Sequence, residues 1–140
     1  MNTWGTGSFE NESATEFIKE VLEDGPVALE EAFEVTLDPD VAEVEAEEGA
    51  RALAAAEIVL AQLSGESEVV TDPNLRAWLD ELGEDDLSEL RELALESLDR
   101  VLAAGSELPE MWQDRPDAAE WRTNVKQLRA GLASFQPADL

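Results

Sequence analysis

The sequence predicts an all-α fold, a single-domain bundle of six or seven helices spanning residues 1–140, and three observations carry that prediction. Apolar residues recur at three- and four-residue spacing along most of the chain. Proline follows an acid or a glycine at Gly25-Pro26, Asp38-Pro39 and Asp72-Pro73, and each pair fits a helix start with proline in the first turn. No run of convincing length alternates apolar and polar residues as a half-buried strand would. At 44% hydrophobic content, the 140 residues suffice for one core that buries about two-thirds of the unfolded surface.

The chain opens on a loop holding Trp4, Gly5, Gly7, Phe9 and Asn11. Glycines permit close backbone approach and the aromatics bring apolar area, so the loop is expected to fold back onto the core as a clasp. Asn11 or Ser13 then caps the first helix, Ser13 with Glu16 fitting a capping box. Ala14, Phe17, Ile18, Val21 and Leu22 line one face of that helix. Asp24-Gly25-Pro26 ends it and starts a second, whose inner face is Leu29, Ala32, Phe33 and Leu37.

Asp38-Pro39 is expected to open the long third helix, with Asp40 and Glu43 in its first turn and a kink at Gly49. From Ala50 to Leu63 that helix is apolar nearly all round, the pattern of a central element, with Leu53, Ile58, Val59, Leu60 and Leu63 in the core. After Ser64-Gly65 comes a connection with a short extended piece at Val69 and Val70, then a helix from Asp72-Pro73 presenting Leu75, Trp78, Leu79 and Leu82. Gly83 closes it. Asp85 or Asp86 opens the next, with Leu87, Leu90, Ala94, Leu98, Val101 and Leu102 inward and Gly105 at its end. An irregular segment, 106–112, carries Trp112 beside Pro109 and Met111 and places that indole outside the core. The last helix begins near Pro116 or Asp117 and holds Trp121, Val125, Leu128 and Leu132.

The charge narrows the function. Thirty-four acids against nine bases give a net charge of -25, and the only lysines are Lys19 and Lys126. Direct nucleic-acid binding needs clustered cations to neutralise phosphates, and none exists here. An acidic field favours basic partners and speeds their approach. Cysteine and histidine are both absent, which removes disulfides, thiol nucleophiles and the commonest general base and metal ligand. No basic and apolar leader opens the chain, and its longest nearly apolar run, Ala52 to Ala61, is far shorter than a bilayer span. A cytoplasmic protein with no membrane attachment is expected.

Trp4-Gly5-x-Gly7-x-Phe9-Glu10-Asn11, followed by an acid and Ala14, resembles the start of a bacterial family known as domain of unknown function 4259. The resemblance extends to Ala54-Ala55-Ala56-Glu57-Ile58-Val59, to Leu75-x-x-Trp78, to Ser106-Glu107-Leu108 leading to Trp112, and to Trp121. It implies a small soluble bacterial domain with a characteristic N-terminal loop, and it transfers no catalytic residue and no cofactor.

Four features are candidates for function. The glycine loop could cradle an anion, but Glu10, Glu12 and Glu16 oppose one, so a structural loop is favoured. Glu57 stands alone among Ala, Leu, Ile and Val, and a buried carboxylate there is expected to pair with Arg76, Arg91 or Arg100, the alternative being an acid of raised pKa or a metal ligand in a cleft. Trp112 is a candidate interface residue. Glu45, Glu48, Glu96 and Asp99 could converge to hold Mg²⁺ in a pyrophosphohydrolase-like all-α enzyme. The favoured reading is a non-enzymatic acidic protein that binds a basic partner protein, in an immunity-like or regulatory role. The alternatives are that Mg²⁺-dependent hydrolase and a decoy mimicking nucleic acid.

Overall fold

A computed structural model describes residues 3, 5–40, 42–65, 70, 72–82 and 87–135. Among them the chain forms seven α-helices and no strand: α1 (Glu12–Asp24), α2 (Pro26–Leu37), α3 (Ala46–Ser64), α4 (Pro73–Glu81), α5 (Arg91–Leu102), α6 (Glu107–Gln113) and α7 (Ala118–Ser134). A 3₁₀ turn, Ser88–Leu90, leads into α5. Trp4, which the clasp expectation rested on, lies outside the described residues, as do Val69, Gly83, Asp85, Asp86 and Pro137.

The axis of the bundle is α3, which packs against α1, α2, α5, α6 and α7. Its small side chains make that crowding possible. Ala52, Ala54, Ala55 and Ala56 have no exposed surface, and Ile58 and Val59 are equally enclosed. Two glycines set the closest approaches. A Cβ on Gly49 would stand 3.4 Å from Leu108 Cδ2 of α6, and one on Gly131 of α7 would stand 2.9 Å from Leu60 Cδ2. Gly49 is therefore a packing position inside the continuous helix α3.

Capping decides where the helices begin. Asn11, in extended backbone, accepts the Ala14 N–H at 2.8 Å and starts α1, while Ser13 lies buried in the first turn. Asp72 does the same for α4 by accepting from the N–H groups of Asn74 and Leu75. A side-chain oxygen at such a position satisfies donors the helix itself leaves open.

Two segments differ from the sequence expectation. Asp38-Pro39 does not open α3. The Asp38 side chain accepts the Asp40 N–H at 2.9 Å and closes a turn, and Val44 is drawn into a parallel bridge with Ser106. There Val44 donates to the Gly105 carbonyl at 2.9 Å and accepts from Glu107 N–H at 2.8 Å. The helix starts only afterwards, on a capping box between Glu45 and Glu48. Long-range pairing has overridden a local start signal. The segment expected to be irregular is α6, with Pro109 in its first turn, where a missing N–H costs nothing.

Candidate functional site

The N-terminal loop fills its own anion cradle. Glu10 Oε1 accepts the Gly7 N–H at 3.0 Å while the Glu10 N–H donates to the Gly7 carbonyl at 3.1 Å. A Cβ on Gly5 would fall 2.3 Å from Glu10 Oε2, and one on Gly7 2.6 Å from Oε1. Both glycines are thus needed for the carboxylate to settle against the backbone. Glu10, read from the sequence as an acid that would repel an anion, is itself the anion in the nest.

Four long-range hydrogen bonds tie this loop to the bundle. Asn124 of α7 donates to the Thr6 hydroxyl at 3.0 Å and to the Thr6 carbonyl at 3.3 Å. Arg115 donates to the Thr3 hydroxyl. Ser8 donates to Glu57 Oε1 at 3.2 Å. Asn11 closes the loop from within, donating to the Ser8 carbonyl at 3.3 Å, and Phe9 packs partly buried against the core.

Glu57 therefore meets the loop and not an arginine. Burial raises its carboxyl pKa above the ordinary range, and the Ser8 hydrogen bond acts in the opposite direction. The three arginines expected as partners serve backbone carbonyls: Arg76 that of Val70, Arg91 those of Leu132 and Ala133, and Arg100 those of Ala42, Ala104 and Gly105.

Trp112 is not the exposed indole the sequence predicts. It retains 4% of its surface, as does Trp121, and the two rings stack with centroids 5.8 Å apart and planes 10° from parallel. The Arg115 guanidinium sits over Trp112 at 4.9 Å from its centroid, adding a cation–π contact to the pair. Because 107–113 coils into α6, Trp112 turns inward to meet α7. The pair borders a cleft of about 490 Å³ lined also by Ser106, Glu110, Gln113 and Arg122.

The four Mg²⁺ candidates do not come together. Glu45 and Glu48 cap α3, Asp99 is engaged by Arg129 at 2.5 and 3.0 Å, and Glu96 stands on α5 apart from the first two. Among the described residues, no three acids group closely enough to hold a metal ion.

A surface that the sequence reading did not single out lies on α2. Its inner residues are Ala28, Leu29, Phe33 and Thr36, all buried. Its outer stripe is Val27, Glu30, Glu31, Glu34 and Val35, all exposed, at helical spacing along one face. Val27 is 55% and Val35 45% exposed, and the three large apolar side chains left in solvent among the described residues are these two and Leu22. The acids crowd one another: a hydrogen bond to the Glu30 side chain, with some burial and the charges of Glu30 and Glu31, raises the Glu34 pKa. Beside the stripe, between α1, α2 and α3, lies a pocket of about 120 Å³. Phe17, Ala28, Ala32 and Val35 wall it, and Glu20, Glu31, Glu48 and Arg51 supply its polar lining. Arg51 Nε is buried with no hydrogen-bond partner. The signal was present in the sequence, as two valines bracketing three glutamates at i, i+3, i+4, i+7 and i+8.

Residues 2–124 match the family described as domain of unknown function (DUF4259), and the chain belongs to that family. No curated protein and no solved structure matches it.

Proposed function

We propose that this member of the family is a non-enzymatic acidic interaction protein of the bacterial cytoplasm that binds a basic partner protein, in an immunity-like or regulatory role. The observation that carries the reading is the outer stripe of α2, where exposed valines stand among crowded glutamates on a chain of net charge -25. A charged field alone gives solubility and steering. Exposed valines at both ends of the acidic stripe add what charge alone lacks, apolar contact area beside the carboxylates. Mg²⁺-dependent hydrolysis has no comparable support, since the candidate carboxylates are dispersed or already engaged.

The test is affinity capture on the immobilised full chain from a bacterial lysate, washed at low and then at physiological salt. The expected result is a basic protein that survives the second wash. Basic proteins that all elute between the two washes would reduce the interaction to unspecific charge and overturn the reading.

A further inference from the structure

We infer that the outer stripe of α2, with the adjoining α1–α2–α3 pocket, docks a cationic amphipathic helix of the partner. The inference rests on the interaction reading above and gives it a place and a chemistry. Glu30, Glu31 and Glu34 offer carboxylates along about one turn of helix. Val27 and Val35 mark the ends of the same stripe as apolar contacts. Lysine or arginine side chains on the docked helix meet the glutamates and relieve the repulsion among them, while its apolar face covers the valines.

The pocket beside Val35 receives one anchor. Its 120 Å³ is somewhat less than the roughly 150 Å³ of an apolar cavity that holds benzene, so it suits a single aliphatic side chain. Arg51 Nε, buried without a hydrogen-bond partner among the described residues, lines the same pocket as Glu20, Glu31 and Glu48 and offers a donor to a carbonyl or amide oxygen beside the anchor. Phe17, Ala28, Ala32 and Val35 give the pocket its apolar wall and the α2 glutamates give the stripe its charge, which together match the two faces of an amphipathic helix. Charge argues against other occupants of the stripe. A second copy of this chain, an anionic membrane and a nucleic acid all carry the same sign.

The experiment uses calorimetry on the full chain with two synthetic probes of identical leucine and lysine composition. One is patterned as an amphipathic helix; the other is scrambled to have no apolar face. Three variants accompany the wild type: E30Q/E31Q/E34Q, V27S/V35S, and a charge-matched control on exposed acids elsewhere, E89Q/E96Q/E120Q. Circular dichroism confirms that each is folded. The expected result is preference for the patterned peptide, a loss of about tenfold in affinity for the α2 triple variant, a loss for the valine pair, and little change for the control. Equal weakening by both triple variants, or equal binding of both peptides, overturns the docking surface and leaves the broader acidic reading standing. No binding of either peptide at low salt overturns both.

Discussion

The Ser8 hydroxyl donates a hydrogen bond to Glu57 at 3.2 Å, joining the N-terminal loop to the central helix across 49 residues of sequence. Two features that the sequence marks separately, a glycine loop and a lone acid in an alanine-rich helix, are thereby one structure. The bond opposes the upward pKa shift that burial imposes on Glu57, so it supports the ionised carboxylate.

That relationship fixes a pH dependence. Glu57 titrates above its ordinary 4.5 in the folded chain, so the fold binds the proton more tightly than the unfolded chain does. The penalty of burying the charge is absent below about pH 4.5 and complete once the pH exceeds the raised folded value. Glu57→Gln keeps an acceptor for Ser8 and removes the charge. Its stability relative to wild type should be most favourable at neutral pH and should shrink as the pH falls towards 4.5. Urea unfolding at several pH values measures this, and a pH-independent difference would contradict it. Ser8→Ala should cost about 1.5 kcal/mol at neutral pH and less in acid, because a bond to a charged acceptor is lost only where the acceptor is charged.

The strap should also be readable through the tryptophans. Arg115 bonds Thr3 and lies over Trp112, which stacks on Trp121. Arg115→Ala should cost about 1 to 2 kcal/mol and change the near-ultraviolet dichroism of the stacked pair. Asn124→Ala, which releases only Thr6, should cost about 1 kcal/mol and leave that signal nearly unchanged. Equal spectral effects from both variants would mean that the loop reports only global loosening.

Two glycine positions should respond differently to a larger side chain. Gly105 has φ +85°, and a Cβ there would meet the Ala42 carbonyl at 3.2 Å. Both its backbone and its neighbour resist change, so Gly105→Ala should destabilise by about 1 to 2 kcal/mol. Gly131 lies within α7, where alanine is intrinsically better by about 1 kcal/mol. Its only tight neighbour is the flexible end of Leu60, so Gly131→Ala should fall near neutral, while Gly131→Leu should cost about 1 to 3 kcal/mol through overpacking. Thermal unfolding of the three variants orders them.

Much of this architecture was legible locally. The α1, α2, α4 and α7 faces follow from apolar spacing, and Asn11 and Asp72 are visible as caps because capping is a short-range bond. The start of α3 was not, because the Val44–Ser106 bridge is a contact between distant residues that no local pattern encodes. Trp112 was misplaced for the same reason, since its burial depends on Trp121 in another helix. The α2 stripe is visible as spacing, but its meaning depends on the exposure of Val27 and Val35 in the folded chain. Glu57 stands out in the sequence as a lone acid, but its partner is Ser8, 49 residues away in a loop, in place of an arginine.

Asp99 and Arg129 give the final test, because the same carboxylate was a candidate metal ligand. Arg129 bonds both Asp99 oxygens, at 2.5 and 3.0 Å, and this hydrogen bonding lowers the Asp99 pKa below 3.8. The sign is opposite to that of Glu57: the stabilisation is present above the unfolded value and is lost as the pH falls through the lowered folded value. Both side chains are substantially exposed, at 57% and 39%, so the pair is screened and Asp99→Asn should cost less than about 1 kcal/mol at low salt. In about 1 M salt, where the screening length is about 3 Å, that cost should largely vanish. Because the guanidinium already occupies both oxygens, millimolar Mg²⁺ should change the difference between wild type and Asp99→Asn no more than an equal ionic strength of NaCl does. A Mg²⁺-specific stabilisation of the wild type, lost in Asp99→Asn, would show that the metal displaces Arg129 and would return this carboxylate to the list of ligands.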